Sequence, residues 1–305
     1  MPDLDSDAAA HLTRLLALGP LPGLEEGTAE QARAAHVASA GALSGPGEPL
    51  PDVRDGRVAG VPVRTYRPVG ARGTVVYVHG GGWVVGTLDT YDPLCRSLAL
   101  LAGATVVSVD YDLAPEARHP RQAEQVEAVL RALAGDGPLA LAGDSVGAHL
   151  GALAATRGTG ALAGLALVYP VVGPALDTPS VVENATGYGL TTAAMRWFWA
   201  QYLPRVPVAA GAGDPLPVDL LAADLARLPA TLVLTAGRDP LRDEGLALAD
   251  ALAAAGVQVR RLAYDGQIHG FFRMGAVVGQ ALTAQREVAA FLRDRLDGGA
   301  RSSDG

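Results

Sequence analysis

The apolar positions of this chain fall in short, mostly unbroken runs: Thr74 to Val78, Ala104 to Val109, Leu139 to Ala142, Leu165 to Tyr169, Thr231 to Leu234 and Val257 to Leu262. Most are bounded by Gly, Pro or Asp, and helix-compatible segments lie between most of them. Runs that are apolar throughout, rather than alternating, suit strands buried on both faces, and helices as crossovers make such strands parallel. The pattern predicts an α/β protein with a mainly parallel central sheet covered by helices on both sides. Val61 to Tyr66 alternates instead, as a half-buried strand does, and is read as the start of the core.

Ahead of that core, Ala9 to Leu18 and Glu25 to Ala42 favour helix, and Gly19, Pro20, Pro22 and Gly23 keep the two stretches apart. Gly45 to Pro51 is a Gly/Pro-rich connector. After Tyr169 the strand rhythm is interrupted by an aromatic-rich helical stretch, Leu190 to Leu203, and a second connector follows at Gly211 to Pro217. That stretch reads equally as a packed crossover helix or as part of a lid over a site. No repeat of fixed period is visible. The small, polar residues 298–305 predict a disordered tail.

Composition narrows the class. With 305 residues and 49% hydrophobic content there is material for one large domain carrying an inserted or appended lid, or for two modest domains, and the single domain is the favoured reading. A formal charge of −8, from 24 Lys and Arg against 32 Asp and Glu, gives no general attraction to phosphate backbones or anionic lipid, which argues against nucleic-acid partners. Cys95 is the single cysteine and cannot form an internal disulfide. The opening residues lack the basic and apolar regions of a secretory signal, so a cytoplasmic location is expected. Apolar stretches are too short, or too interrupted by charge, Gly or Pro, to predict a membrane span.

Candidate chemistry lies at the ends of the apolar runs. Gly143-Asp144-Ser145-Val146-Gly147 follows one run and precedes the helix-compatible Ala148 to Ala155. This is a Gly-x-Ser-x-Gly elbow between strand and helix, with glycines expected to let the chain turn sharply and expose the serine. Another run ends in His79-Gly80-Gly81-Gly82-Trp83, where glycines permit backbone N–H groups to approach a developing oxyanion. An elbow paired with such a loop is an arrangement of lipases and esterases.

A serine hydroxyl needs an imidazole base and a carboxylate to orient it. Asp239 lies just past the run Thr231 to Leu234, whereas its rivals Asp243 and Glu244 fall in the following helix-like stretch, where solvated charges are expected. Of six histidines only His269 follows Asp239, and the order Ser, Asp, His is that of α/β-hydrolases. His11, His36 and His119 are expected to be surface or structural, and His149, a turn after Ser145, mostly a packing residue. No Cys/His zinc cluster, Walker-type loop or dinucleotide fingerprint is present, so neither a metal nor an organic cofactor is expected.

Together these motifs resemble the hormone-sensitive-lipase-like, or family IV, bacterial esterases of the α/β-hydrolase superfamily, over most of the chain. His79 to Trp83 is similar to that family's oxyanion loop, Gly143 to Gly147 to its GDSAG elbow, and Tyr111-Asp-Leu-Ala-Pro-Glu116 to its YRLAPE segment. Gly237 to Leu241 and Ile268 to Phe271 are similar to its acid and base motifs.

The resemblance implies an α/β-hydrolase fold and a serine carboxylesterase of short-chain esters, with Ser145 as nucleophile, His269 as base and Asp239 as orienting acid. Gly81, Gly82 and Val146 would donate N–H groups to the oxyanion, supported by His79 and Gly80. It also implies residues 1–50 as helices contributing to a cap, 51–297 as the catalytic domain with a cap insertion around 185–217, and a monomer or homodimer acting on a small-molecule ester. Val146 replaces the usual alanine and Asp112 the usual arginine; neither removes a catalytic group. An amidase or lactonase with the same triad, or a non-catalytic small-molecule binding protein on the same fold, are the alternative readings.

Overall fold

Valine and leucine runs with no polar alternation can be accommodated only where both sheet faces are covered, and that is where these runs lie. The computed structural model describes residues 4–17, 23–204 and 218–301. Helices α1 (Ser6–Ala17) and α2 (Ala29–Ser44) come first. The core then follows as β1 (Asp52–Val58), β2 (Val61–Arg67), β3 (Thr74–Val78), α3 (Leu88–Ala102), β4 (Thr105–Val109), α4 (Arg121–Leu133), β5 (Leu139–Asp144), α5 (Val146–Thr156) and β6 (Gly164–Val168). Beyond β6 lie α6 (Pro179–Glu183), α7 (Thr192–Tyr202), β7 (Thr231–Arg238), α8 (Arg242–Ala254), β8 (Val259–Ile268) and α9 (Gly279–Arg301).

The eight strands form one sheet in the order β1-β2-β4-β3-β5-β6-β7-β8. β2 pairs antiparallel with both β1 and β4, and every later pairing is parallel. Side chains alternate between two cores. Val76, Val78, Leu141, Leu165, Leu167 and Val233 face α4, α5 and α8, while Val75, Tyr77, Ala140, Ala142, Val168 and Leu234 face α3 and α9. The last helix presents Ala281, Ala284, Val288, Leu292 and Leu296, a stripe of period three to four, to that second core.

Register sets the site. Val78 lies opposite Gly143, and Asp144 opposite Val168, so β3, β5 and β6 end at one edge. In a parallel α/β sheet the carboxyl edge is where chain-end loops converge and ligands bind.

Three expectations change. β1 is a strand the hydrophobic pattern did not show, paired to β2 through a turn in which Ala59 and Gly60 both have positive φ. β7 and β8 run longer than their apolar cores, past a bulge between Ala236 and Arg238. There Gly237 is obligatory, because a Cβ would collide with the Asp265 carbonyl. Finally, α9 continues through Gly298 to Arg301, into the stretch expected as a tail, because helix propagation absorbs a glycine at about 1 kcal/mol. Residues 302–305 of that tail, and 205–217 of the expected insertion, lie outside the described residues. Among the described residues no helix is long and apolar enough to cross a membrane.

Candidate active site

β5 delivers the chain to Ser145 and α5 begins at the next residue. Ser145 itself is the strained residue, at φ 56° and ψ −121°, a conformation that costs a non-glycine residue about 1–3 kcal/mol. The flanking glycines do not bend the chain as expected, since neither has a positive φ. Space requires them instead. A Cβ on Gly147 would overlap the Val78 carbonyl oxygen, and one on Gly143 would stand 2.6 Å from the Gly147 carbonyl carbon. The glycines let α5 press on β3, and the serine hydroxyl is left at the sheet edge.

His269 follows β8 directly. Its Nδ1 is 2.7 Å from Asp239 Oδ2 and its Nε2 is 3.0 Å from Ser145 Oγ. A carboxylate only accepts, so Nδ1 carries a hydrogen, and in the neutral imidazole Nε2 is then free to accept from the serine hydroxyl. Asp239, fully buried, also accepts from the Leu241 N–H at 2.9 Å through Oδ1. Tyr169, itself at φ 33°, lays its ring against His269 with 4.6 Å between centroids.

The rivals of Asp239 are placed elsewhere and are not simply solvated. Asp243 pairs with Arg242 at 2.7 Å and accepts from the Ser180 N–H. Glu244 is buried and accepts from the Val172 N–H at 2.9 Å, and its burial pushes the carboxyl well above the usual range. Both brace the chain after β6.

Across from the imidazole, β3 runs into the glycine loop. Gly81 and Gly82 have φ of 113° and 58°. A Cβ on Gly81 would strike the Val85 carbonyl, and one on Gly82 the Phe198 ring of α7. Among the described residues the N–H groups of Gly81, Gly82 and Val146 have no hydrogen-bond acceptor. Gly80 is different: its N–H donates to Asp144 Oδ1 at 2.9 Å, and a Cβ there would meet that carboxylate.

His79 is fully buried, donates from Nδ1 to the Gly80 carbonyl at 2.7 Å, and stacks on Tyr111 with 4.3 Å between centroids. Burial lowers its pKa to about 4, so it is neutral at pH 7. Tyr111 in turn donates to the His79 carbonyl at 2.9 Å, which explains why the Tyr111 to Glu116 segment accompanies the loop. Asp112, the departure in that segment, pairs at the surface with Arg121.

Two participants were not singled out in the sequence. Asp144 accepts from Tyr77, Gly80 and Tyr91, fastening the glycine loop to the elbow; burial raises its carboxyl pKa and these donors draw it back. Its signal was a carboxylate ending an otherwise apolar strand. Arg33 of α2 grips the Val84 and Ala114 carbonyls and pairs with Glu116 at 2.6 Å, tying the N-terminal helices to the loop. Nothing local in sequence announced it.

A cavity of about 400 Å³ opens over Ser145 and His269, with Gly81, Gly82 and Val146 on its wall. His11 and His36 also line it, which corrects their expected placement as surface or purely structural residues. The cause is that α1 and α2 lie over the carboxyl edge of the sheet. His149, by contrast, packs among Trp83, Trp199 and Tyr202 and bonds the Val218 carbonyl; His119 contacts Tyr202. Among the described residues no group of three or more His, Cys, Asp or Glu side chains is arranged to hold a metal ion.

Comparison with known proteins gives the family and the fold. A family model described as the alpha/beta hydrolase fold matches residues 75–273. Carboxylesterase NlhH of Mycobacterium tuberculosis is 38% identical over 276 residues, covering 83% of this chain and 86% of its own length. Ethyl acetate hydrolase of Pseudomonas putida is 35% identical over 311 residues, covering 91% and 95%. Among solved structures, the hyperthermophilic esterase of the archaeon Pyrobaculum calidifontis superposes with a TM-score of 0.87 at 34% identity, covering 96% of this chain and 99% of that one. This chain belongs to the α/β-hydrolase fold family, in the hormone-sensitive-lipase-like branch that its motifs resemble.

Proposed function

We propose that this chain is a serine carboxylesterase that hydrolyses short-chain carboxylic esters through an acyl-enzyme. The observation that carries the reading is the continuous relay from the buried Asp239 carboxylate through His269 to Ser145, at 2.7 and 3.0 Å. In the proposed cycle Ser145 Oγ attacks the ester carbonyl carbon and its proton passes to His269 Nε2. Asp239 holds the imidazole in the required tautomer and stabilises the imidazolium that forms. The tetrahedral oxyanion takes the unpartnered N–H groups of Gly81, Gly82 and Val146, where each donor is worth about 2.7–4 kcal/mol. His269 then protonates the departing alcohol, leaving Ser145 acylated. Water, deprotonated by His269, attacks the acyl carbon and releases the acid. The cycle consumes ester and water alone.

The cavity supports small substrates, since about 400 Å³ stands near the lower end of the ~300–1,000 Å³ spanned by ligand pockets. Helices α1, α2 and α7 contribute its outer wall, which supports residues 1–50 and the insertion around 185–217 as a cap on a catalytic domain. The negative formal charge favours a small-molecule partner over nucleic acid, and the lone, buried Cys95 suits the cytoplasm. The expected assembly is a monomer or homodimer, decided by light scattering.

The test is hydrolysis of p-nitrophenyl butyrate by this chain and by Ser145→Ala at equal folded concentration. The expected loss in kcat is at least ~10³-fold. Equal rates in the two would overturn the reading, and an isosteric amide cleaved as fast as the ester would move it to an amidase.

A further inference from the structure

The cavity over Ser145 has a charged end that acyl transfer does not use. Arg273 closes the short helical turn Phe271–Arg273, four residues after His269, and lines the cavity beside His36 of α2. Three other part-buried arginines each pair with a carboxylate: Arg33 with Glu116, Arg64 with Asp55, Arg242 with Glu183. Among the described residues Arg273 has no such pair. Its Nη1 is buried with no acceptor, and the one carboxylate among the described lining residues, Asp144, acts on it through its charge but bonds Tyr77, Gly80 and Tyr91 instead. His36 Nε2 is likewise buried without a partner. Burial first, and Arg273 second, lower the His36 pKa to about 3, so His36 is neutral at pH 7 and the positive charge at this end rests on the guanidinium.

A buried guanidinium N–H without an acceptor is costly to keep, and the planar fork of an arginine fits a carboxylate through two parallel hydrogen bonds. We propose that Arg273, with His36 beside it, forms a subsite for a carboxylate on the substrate, so that the preferred ester carries a second, ionised carboxyl group. Monoesters of short dicarboxylic acids carry it on the acyl side, and esters of hydroxy acids on the alcohol side. The proposal rests on the esterase reading and specifies its substrate class. A neutral ester leaves Arg273 Nη1 without an acceptor, and a site built to bond a polar group discriminates strongly against an analogue lacking it.

The experiment compares kcat/KM for two matched pairs. The mono-p-nitrophenyl ester of glutaric acid is set against p-nitrophenyl pentanoate for the acyl side, and 3-acetoxypropanoate against propyl acetate for the alcohol side. One anionic member is expected to exceed its neutral partner at least tenfold, mainly through KM. Arg273→Gln is expected to erase that ratio and Arg273→Lys to retain part of it. A neutral preference in both pairs, or a ratio that survives Arg273→Gln, overturns the subsite. Calorimetric titration with glutarate tests it without turnover. Binding weakened at least tenfold by Arg273→Gln supports it, and no binding, or equal binding, overturns it. Should no ester be hydrolysed while glutarate still binds through Arg273, the esterase reading fails and the subsite stands.

Discussion

Replacing Asp239 with Asn alters one atom and is expected to reverse the polarity of the relay. Asp239 uses both oxygens, accepting from the Leu241 N–H at 2.9 Å and facing His269 Nδ1 at 2.7 Å, in a fully buried position. An asparagine carbonyl that satisfies Leu241 turns its NH2 toward His269. Nδ1 must then be bare, the ring hydrogen moves to Nε2, and Nε2 no longer accepts the serine proton. The opposite amide orientation restores the tautomer but sets two buried donors against each other. Two unmet donors cost roughly 2–6 kcal/mol. At about 1.36 kcal/mol per decade this is a loss of roughly 30-fold to 10⁴-fold. A carboxylate-to-amide change in an unrelated serine protease costs ~10⁴-fold by the same tautomer error. We therefore expect kcat for p-nitrophenyl butyrate at pH 8 to fall by about two to four decades, with KM and the thermal melt little changed. A loss below tenfold in a folded variant would refute the assignment of Asp239 as the group that sets the tautomer.

Two further outcomes follow from the elbow and its surroundings. Gly147→Ala drives a Cβ into the Val78 carbonyl; overpacking of this kind costs about 1–3 kcal/mol. Both the melting temperature and kcat should drop, and a variant that melts and turns over like the parent would contradict the packing. His79 and His149 are fully buried and held at about 4 by burial, against about 6.5 when unfolded. Their folded pKa values are depressed, so the stability gained by keeping them neutral is complete above pH 6.5 and lost as pH falls toward 4. These two groups together lose about 4 kcal/mol by pH 5, worth roughly 6 °C in melting temperature for a chain of this length. Glu244 and Asp144, whose carboxyls burial raises, shift stability the opposite way, so the histidine effect is read from His149→Gln: the melting temperature at pH 8 minus that at pH 5 should be smaller than in the parent, and an unchanged difference would contradict this.

Where a residue's role depended on its place along the chain, the sequence was legible. Ser145 and Asp239 stand within a few residues of apolar runs and His269 follows the last of them, and strand ends in a parallel sheet converge, so their positions together with the order Ser, Asp, His gave the expectation that the three side chains meet. What was hidden depended on contacts between distant segments. β1 has no buried residue and is held by its pairing with β2, so no hydrophobic signal marked it. α2 buries only Ala32 and Ala40 and has no strong apolar stripe, so nothing indicated that His36 would face the cavity. The elbow glycines looked like hinges, but their purpose is a close approach between α5 and β3, which exists only once the sheet is assembled.

The contact between α7 and the glycine loop has an evolutionary consequence. Phe198 occupies the space that any side chain on residue 82 would need, and Trp83 is stacked on Tyr202 at 4.2 Å and packed on Trp199 at 4.5 Å between centroids. α2 is held to the loop by polar grips such as Arg33 on the Val84 carbonyl, and α1 and α2 line the cavity with few side chains, among them Leu15, His36 and Leu43. Substrate range can therefore drift, or be engineered, through the N-terminal helices one substitution at a time. A transplanted α7 must bring its own residues 79–83, because the helix and the loop pack as one unit.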